Sequence, residues 1–155
     1  MDDSTTGDGI DAATVGLERF LAAQADAYAG ALRELQAGHK RTHWIWFVFP
    51  QLRGLGRSAT SWTYGITGLA EARAYLAHPV LGARLREATR AMLSHRDVDA
   101  AAILGELDAL KFRSCMTLFS SAGPGEPAFD VALQRFFAGE RDMRTLDLLR
   151  TSGPG

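Results

Sequence analysis

The chain is short of the features that most often announce a function. A single cysteine, Cys115, leaves no partner for an intramolecular disulfide and excludes a multi-cysteine zinc site, which fits a reducing compartment. Neither sign of charge dominates: 17 basic residues against 18 acidic give a net charge of −1. The basic excess typical of nucleic-acid binders is missing, so no nucleic-acid partner is expected. No run approaches the roughly 18 consecutive apolar residues that span a bilayer. The start of the chain is acidic and Gly/Ser/Thr-rich, without the positive charge and apolar stretch of a signal peptide. These absences together predict a cytoplasmic protein with no membrane partner. Phosphate loop, Gly-x-Ser-x-Gly elbow and His-Glu-x-x-His are all missing as well. His39, His43, His78 and His95 do not fall at ligand spacing on one face, so neither a metal site nor a cofactor is expected.

What is present is an ordinary globular composition, 46% apolar and 23% charged over 155 residues, enough for one substantial core. Residues 1–14 have little to bury and read as a disordered tail; residues 15–150 read as one helical domain, and 151–155 as a flexible end. Leu17, Phe20, Leu21, Gln24, Tyr28, Ala31, Leu32 and Leu35 recur at three- and four-residue steps, one face of a helix that Thr14 would cap and Gly38 would stop. Further helical units follow. One holds Leu69, Ala72, Tyr75 and Leu76 and ends at His78-Pro79; the next has Leu81, Leu85, Ala88 and Met92 on its buried face. Asp97 and Asp108 are read as caps of the next two helices, and Phe129, Leu133, Phe136 and Phe137 mark another before a last short one at residues 145–150. No strand pair is convincing. The fold expected is all-α, a compact orthogonal domain of about seven or eight helices.

The densest stretch is Trp44-Ile45-Trp46-Phe47-Val48-Phe49, apolar on every face and preceded by Lys40 and Arg41. Periodicity cannot separate strand from buried helix here; with Thr42 available as a cap and Pro50 as a stop, a short buried helix is expected.

Three polar sets surround the predicted core. Lys40, Arg41, His43 and Gln51 flank the aromatic run, either as a solvated lip or as a pocket edge where an indole stacks on a planar ligand and a cation meets its phosphate. Ser58, Ser61 and Tyr64 lie at three-residue steps, readable as caps and turn bonds. Asp108, Lys111, Ser114 and Thr117 share one helical edge, readable as a cap, an exposed ion pair and surface hydroxyls. Hydroxyls in so apolar a context need a reason, which favours a site. Cys115, among Phe112, Met116 and Phe119, reads as a buried core thiol.

The strings Lys40-x-x-His43-Trp44-x-Trp46-Phe47-x-Phe49-Pro50-Gln51, Gly54-Leu55-Gly56-x-Ser58, Glu71-Ala72-x-x-Tyr75-Leu76-x-His78-Pro79 and Asp108-x-x-Lys111-x-x-Ser114-x-Met116-Thr117-Leu118-Phe119 resemble an uncharacterised bacterial and fungal family, domain-of-unknown-function family 1810. The resemblance runs from Leu17 to about Leu149 and implies a compact, mainly helical fold without an assigned activity. A calpastatin label carried by some members does not suit a folded chain. The order Leu104-Gly105, Asp108, Lys111, Met116, Phe119 is also similar to that of the NADAR (YbiA-like) proteins, with Asp108 where those have Trp. That second resemblance implies ADP-ribose and N-glycosidic chemistry.

The function expected is therefore a pocket that binds, and in its fullest form hydrolyses, a phosphorylated nucleoside or ADP-ribose-type ligand. Trp44 or Trp46 would stack on the base; Lys40 or Arg84, with Lys111, would hold phosphate; Asp108 or Glu71 would assist bond departure. Gln24, His43, Gln51, Tyr64, Arg84 and Lys111 would converge on this cleft, with Ser58 and Ser114 as further candidates. The alternative is a non-catalytic protein-interaction domain that docks a partner through the basic lip. The chain is expected to be a monomer or a weak homodimer.

Overall fold

The computed structural model describes residues 12–151. Among these residues it is all-helical: α1 (Ala12–Val15), α2 (Glu18–Ala37), α3 (Ile45–Val48), α4 (Ala59–Thr63), α5 (Leu69–Ala77), α6 (Leu81–Leu93), α7 (Ala100–Leu104), α8 (Glu106–Ala122), α9 (Pro127–Phe137) and α10 (Met143–Thr151). Four of these ten helices, α1, α3, α4 and α7, are single turns of four or five residues; α1, which overlaps the stretch read as a tail, is the one not expected from the sequence. Most of the expected tail and all but the first residue of the expected flexible end lie outside the described residues.

The centre of the fold is α8. Ala109, Phe112, Cys115, Met116, Leu118, Phe119 and Ala122 are buried, together with Ser114, Thr117 and Ser120, so its second half is enclosed on all sides. A helix of that kind lies in the middle of a domain, and α8 does so, packed against α3, α5, α7, α9 and α10. The outer pair, α2 and α6, close the other side. α2 buries Phe20, Gln24, Tyr28, Ala31 and Leu35, the stripe its sequence spacing predicts. It ends at Gly38 in the left-handed conformation (φ 80°), with His39 N–H donating to Glu34 O at 3.0 Å.

Aromatic rings knit these layers. Trp44 leans on Phe49, which meets Phe112 edge-on at 4.8 Å; Phe119 meets Tyr75 at 5.3 Å, and Tyr75 meets Phe20 edge-on at 5.2 Å. Such pairs add about 0.5–1.5 kcal/mol each beyond area burial. The aromatic run is a short buried helix, as expected, and a cover for α8 rather than the centre.

The caps differ from expectation. Leu17, not Thr14, occupies the N-cap position of α2, and Trp44, not Thr42, that of α3; neither makes a side-chain cap bond. Asp99 rather than Asp97 precedes α7, and Asp97 instead sits at φ 60°. α8 starts at Glu106 after Gly105 (φ 89°), which puts Asp108 inside the first turn rather than at the cap. In each case an Asp or Thr near a helix start was read as the cap, while the true boundary is set by backbone geometry one to three residues away. Leu52 and Ile66 form an isolated parallel bridge, with Ile66 N–H donating to Gln51 O at 2.9 Å, and this pins the 51–66 loop beside α8.

Candidate functional site

The expected single cleft is split into two separate polar clusters and several isolated residues. Gln24 is buried between α2 and α6, where its amide donates to Phe47 O (2.7 Å) and Tyr75 Oη (3.1 Å) and accepts from Arg84 Nη1 (3.2 Å). Tyr28 sits beside this group and donates to Glu87 at 2.7 Å; burial, then the Glu87 bond, push its phenol well up from 10. This cluster satisfies its own members.

Other candidates have structural duties. Glu71 is buried and holds Arg19 with both oxygens at 2.9 Å while accepting from Thr67 N–H, so it is placed to fix α5. Ser58 caps α4, accepting from Ser61 N–H at 3.0 Å. Tyr64 packs on Phe20 and Phe47. His43 is exposed, and Trp46 is half-buried against the core.

Trp44 is 1% exposed and cannot stack on a ligand; its indole N–H donates to Glu34 Oε1 at 2.9 Å. Glu34 also accepts from Arg41 N–H (2.7 Å), Thr42 N–H (3.0 Å) and the Thr42 hydroxyl (2.7 Å). Burial opposes its charge, but the Thr42 hydroxyl, the two amides and the indole together hold the Glu34 carboxyl at about 2. The basic lip is thus fastened down by one carboxylate that sequence spacing did not single out.

The second cluster forms a real concavity. Between α8, the start of α10 and the 51–66 loop lies a cavity of about 370 Å³. Leu55, Gly56, Leu107 and Leu110 form its apolar wall; Gln51, Lys111, Arg113, Ser114, Asp142 and Arg144 supply polar groups. Sequence analysis pointed to Gln51, Lys111 and Ser114; it missed Arg113, Asp142 and Arg144.

Ser114 and Thr117, read as surface hydroxyls, are buried instead. Both face residue 142: Ser114 Oγ donates to Asp142 Oδ2 at 3.1 Å, and Thr117 Oγ1 accepts from Asp142 N–H at 2.9 Å while donating to Arg113 O. Asp142 Oδ2 also receives Thr145 N–H at 3.0 Å and the Thr145 hydroxyl, so it is the N-cap that starts α10. These bonds fasten α10 across α8 and set the back wall of the cavity.

The cavity is electropositive. Its lining carries Lys111, Arg113 and Arg144 against Asp142, a local net charge of +2 on a chain whose total is −1. Among the described residues Arg113 forms no ion pair; its Nη2 donates to Arg141 O at 3.0 Å, and its Nε is the one buried side-chain atom without a hydrogen-bond partner. An unpaired buried donor costs about 1–3 kcal/mol, more when charged. Arg144 Nη2 donates to Leu55 O at 3.4 Å. Lys111 lies 3.4 Å from Asp108 Oδ1, whose other oxygen is 2.9 Å from Lys40 Nζ. No cluster of three metal-ligating side chains occurs among the described residues.

Comparison with known proteins fits this fold. The family model described as "Protein of unknown function (DUF1810)" matches residues 14–149. The chain belongs to the DUF1810 family. It is also similar to the crystal structure of the conserved hypothetical protein Rv1873 from Mycobacterium tuberculosis, with 46% identity, a TM-score of 0.85, and coverage of 86% of this chain and 96% of that one. No curated protein matches the chain. Family membership brings the fold but no activity, so the function has to be argued from the site itself. No described helix is long and apolar enough to cross a membrane.

Proposed function

We propose that this DUF1810 protein binds a small phosphorylated metabolite, of the phosphorylated-nucleoside type, in the α8–α10 cavity. The observation that carries the proposal is the convergence of Lys111, Arg113 and Arg144 on one concave surface, with Arg113 in no ion pair among the described residues. Uncompensated guanidinium groups beside an apolar wall are what a phosphate ester with an organic body requires. Leu55, Leu107 and Leu110 would receive that body, in place of the tryptophan stacking expected from sequence. About 370 Å³ lies at the small end of ligand cavities, which favours a mononucleotide-sized ligand over ADP-ribose.

The proposal stops at binding. Asp108 is neutralised between two lysines, and Asp142 Oδ2 is saturated by the α10 cap, so neither is presented as a free acid or base. A thermal-shift series with AMP, inorganic phosphate, ADP-ribose and adenosine tests this reading. AMP and phosphate should stabilise the chain and adenosine should not; equal response to adenosine, or none to any, refutes it. Leu107 and Leu110, at 73% and 57% exposure, favour a second reading in which a protein partner docks at the cavity rim. The L107S/L110S variant separates the two: an unchanged AMP response assigns the ridge to a partner, a reduced one to the ligand body.

A further inference from the structure

The two lysines that share Asp108 are held very differently. Lys40 is anchored: its backbone N–H donates to Ile103 O at 2.8 Å, its ammonium lies 5.1 Å from the Trp44 ring centroid, and its side chain is only 8% exposed. It reaches Asp108 Oδ2 at 2.9 Å and does not line the cavity. Lys111 does line the cavity, is more exposed, and approaches Asp108 Oδ1 only to 3.4 Å, a longer contact than that of Lys40. Asp108 is therefore a potential competitor for Lys111 whose charge is already met by Lys40.

We propose that Lys40 is a positioning residue for anion binding: by holding Asp108, it leaves Lys111 available to the ligand. The inference rests on the anion-pocket reading above. Without Lys40, Asp108 would have Lys111 as its one cation, the pair would tighten, and any incoming phosphate would first have to break it. Such a partly exposed pair resists by an amount equivalent to about two- to fivefold in affinity. Lys40, held over Trp44, links the aromatic run through Asp108 to Lys111 in the cavity, so a lysine beside the run bears on a site it does not touch.

The test is a double-mutant cycle on the full chain, with inorganic phosphate as the probe and affinity read from NMR titration. Lys40→Met should weaken binding about two- to fivefold, whereas Asp108→Asn, which removes a competitor whose charge Lys40 already meets, should leave affinity near that of wild type. If Lys40 acts through Asp108, K40M/D108N matches D108N, because nothing remains to be held, and so regains the affinity that K40M loses. If the two charges act independently through space, Asp108→Asn alone tightens binding by about as much as Lys40→Met weakens it, and the proposal is overturned. D108N binding more weakly than wild type, or a double variant as weak as K40M, also overturns it and leaves the pocket reading intact. A wild-type chain that binds no phosphate overturns both. Lys40→Arg keeps the charge and should restore most of the affinity, and a loss equal to that of K40M counts against the proposal; Lys40→Gln replaces K40M if that variant does not fold.

Discussion

Replacing Glu34 with glutamine isolates the charge of the clasp that secures the basic lip. The amide oxygen keeps an acceptor for Arg41 N–H, Thr42 N–H and the Trp44 indole, and the Thr42 hydroxyl can turn to accept from the new NH2. What is lost is the charge assistance on four hydrogen bonds. Because the carboxylate is partly open to solvent, the low end of the range applies, about 1–2 kcal/mol. Glu34→Ala leaves the buried indole N–H unpaired and should cost about 1–3 kcal/mol more.

The pH dependence carries a definite sign. The Glu34 carboxyl titrates at about 2 in the folded chain against an ordinary value of 4.5. Its contribution is therefore complete above pH 4.5 and is lost as pH falls toward 2. Urea denaturation of wild type and E34Q at a series of pH values reads this directly. The stability gap should be widest near neutrality and close as the pH approaches 2. A gap that is independent of pH, or no gap at neutral pH, would refute the clasp.

Three further outcomes follow from packing and capping. Gly82→Ala would place a Cβ 2.2 Å from Leu76 O, a backbone atom that cannot yield, so the variant should lose about 1–3 kcal/mol in chemical denaturation. Cys115 is fully buried, and burial pushes its thiol well above 9, so a thiol reagent should react only at the rate of global unfolding. Asp142→Ala removes the α10 cap and the partner of Ser114; a loss of about 1–2 kcal/mol and faster amide exchange through residues 143–151 are expected.

How much of this was legible in the sequence depends on the range of the interactions involved. The α2 stripe from Phe20 to Leu35 and the glycine stop at Gly38 are local, and both are found where their spacing puts them. The aromatic run was read as a short helix from Thr42 as a cap and Pro50 as a stop, and α3 is one, although Trp44 takes the cap position. The end of the α7 helix at Gly105 was legible, but the starts of α7 and α8 were not: Asp99 rather than Asp97 precedes α7, and the positive-φ turn at Gly105 rather than Asp108 sets the start of α8.

The site was legible only in part. Lys111, Ser114 and Gln51 stood out as polar residues in apolar surroundings, and all three line the cavity. Gln24 and Arg84 carried the same signal for a different reason: they satisfy each other. Spacing cannot distinguish a polar residue that meets a ligand from one that meets a partner 60 residues away. Asp142 and Arg144 come from the far end of the chain, and only the packing of α10 on α8 brings them to the site. Arg113 had a signal that could have been used. It is a guanidinium between Phe112 and Ser114, at the start of the half of the helix that is otherwise largely buried.

The most direct test of the central claim is a map of amide chemical-shift changes as the full chain is titrated with AMP. Binding in the α8–α10 cavity should give saturable shifts concentrated at Leu55, Gly56, Leu110 to Ser114, and Asp142 to Arg144. Shifts centred instead on Gln24, Tyr28 and Arg84, or none at all, would contradict it.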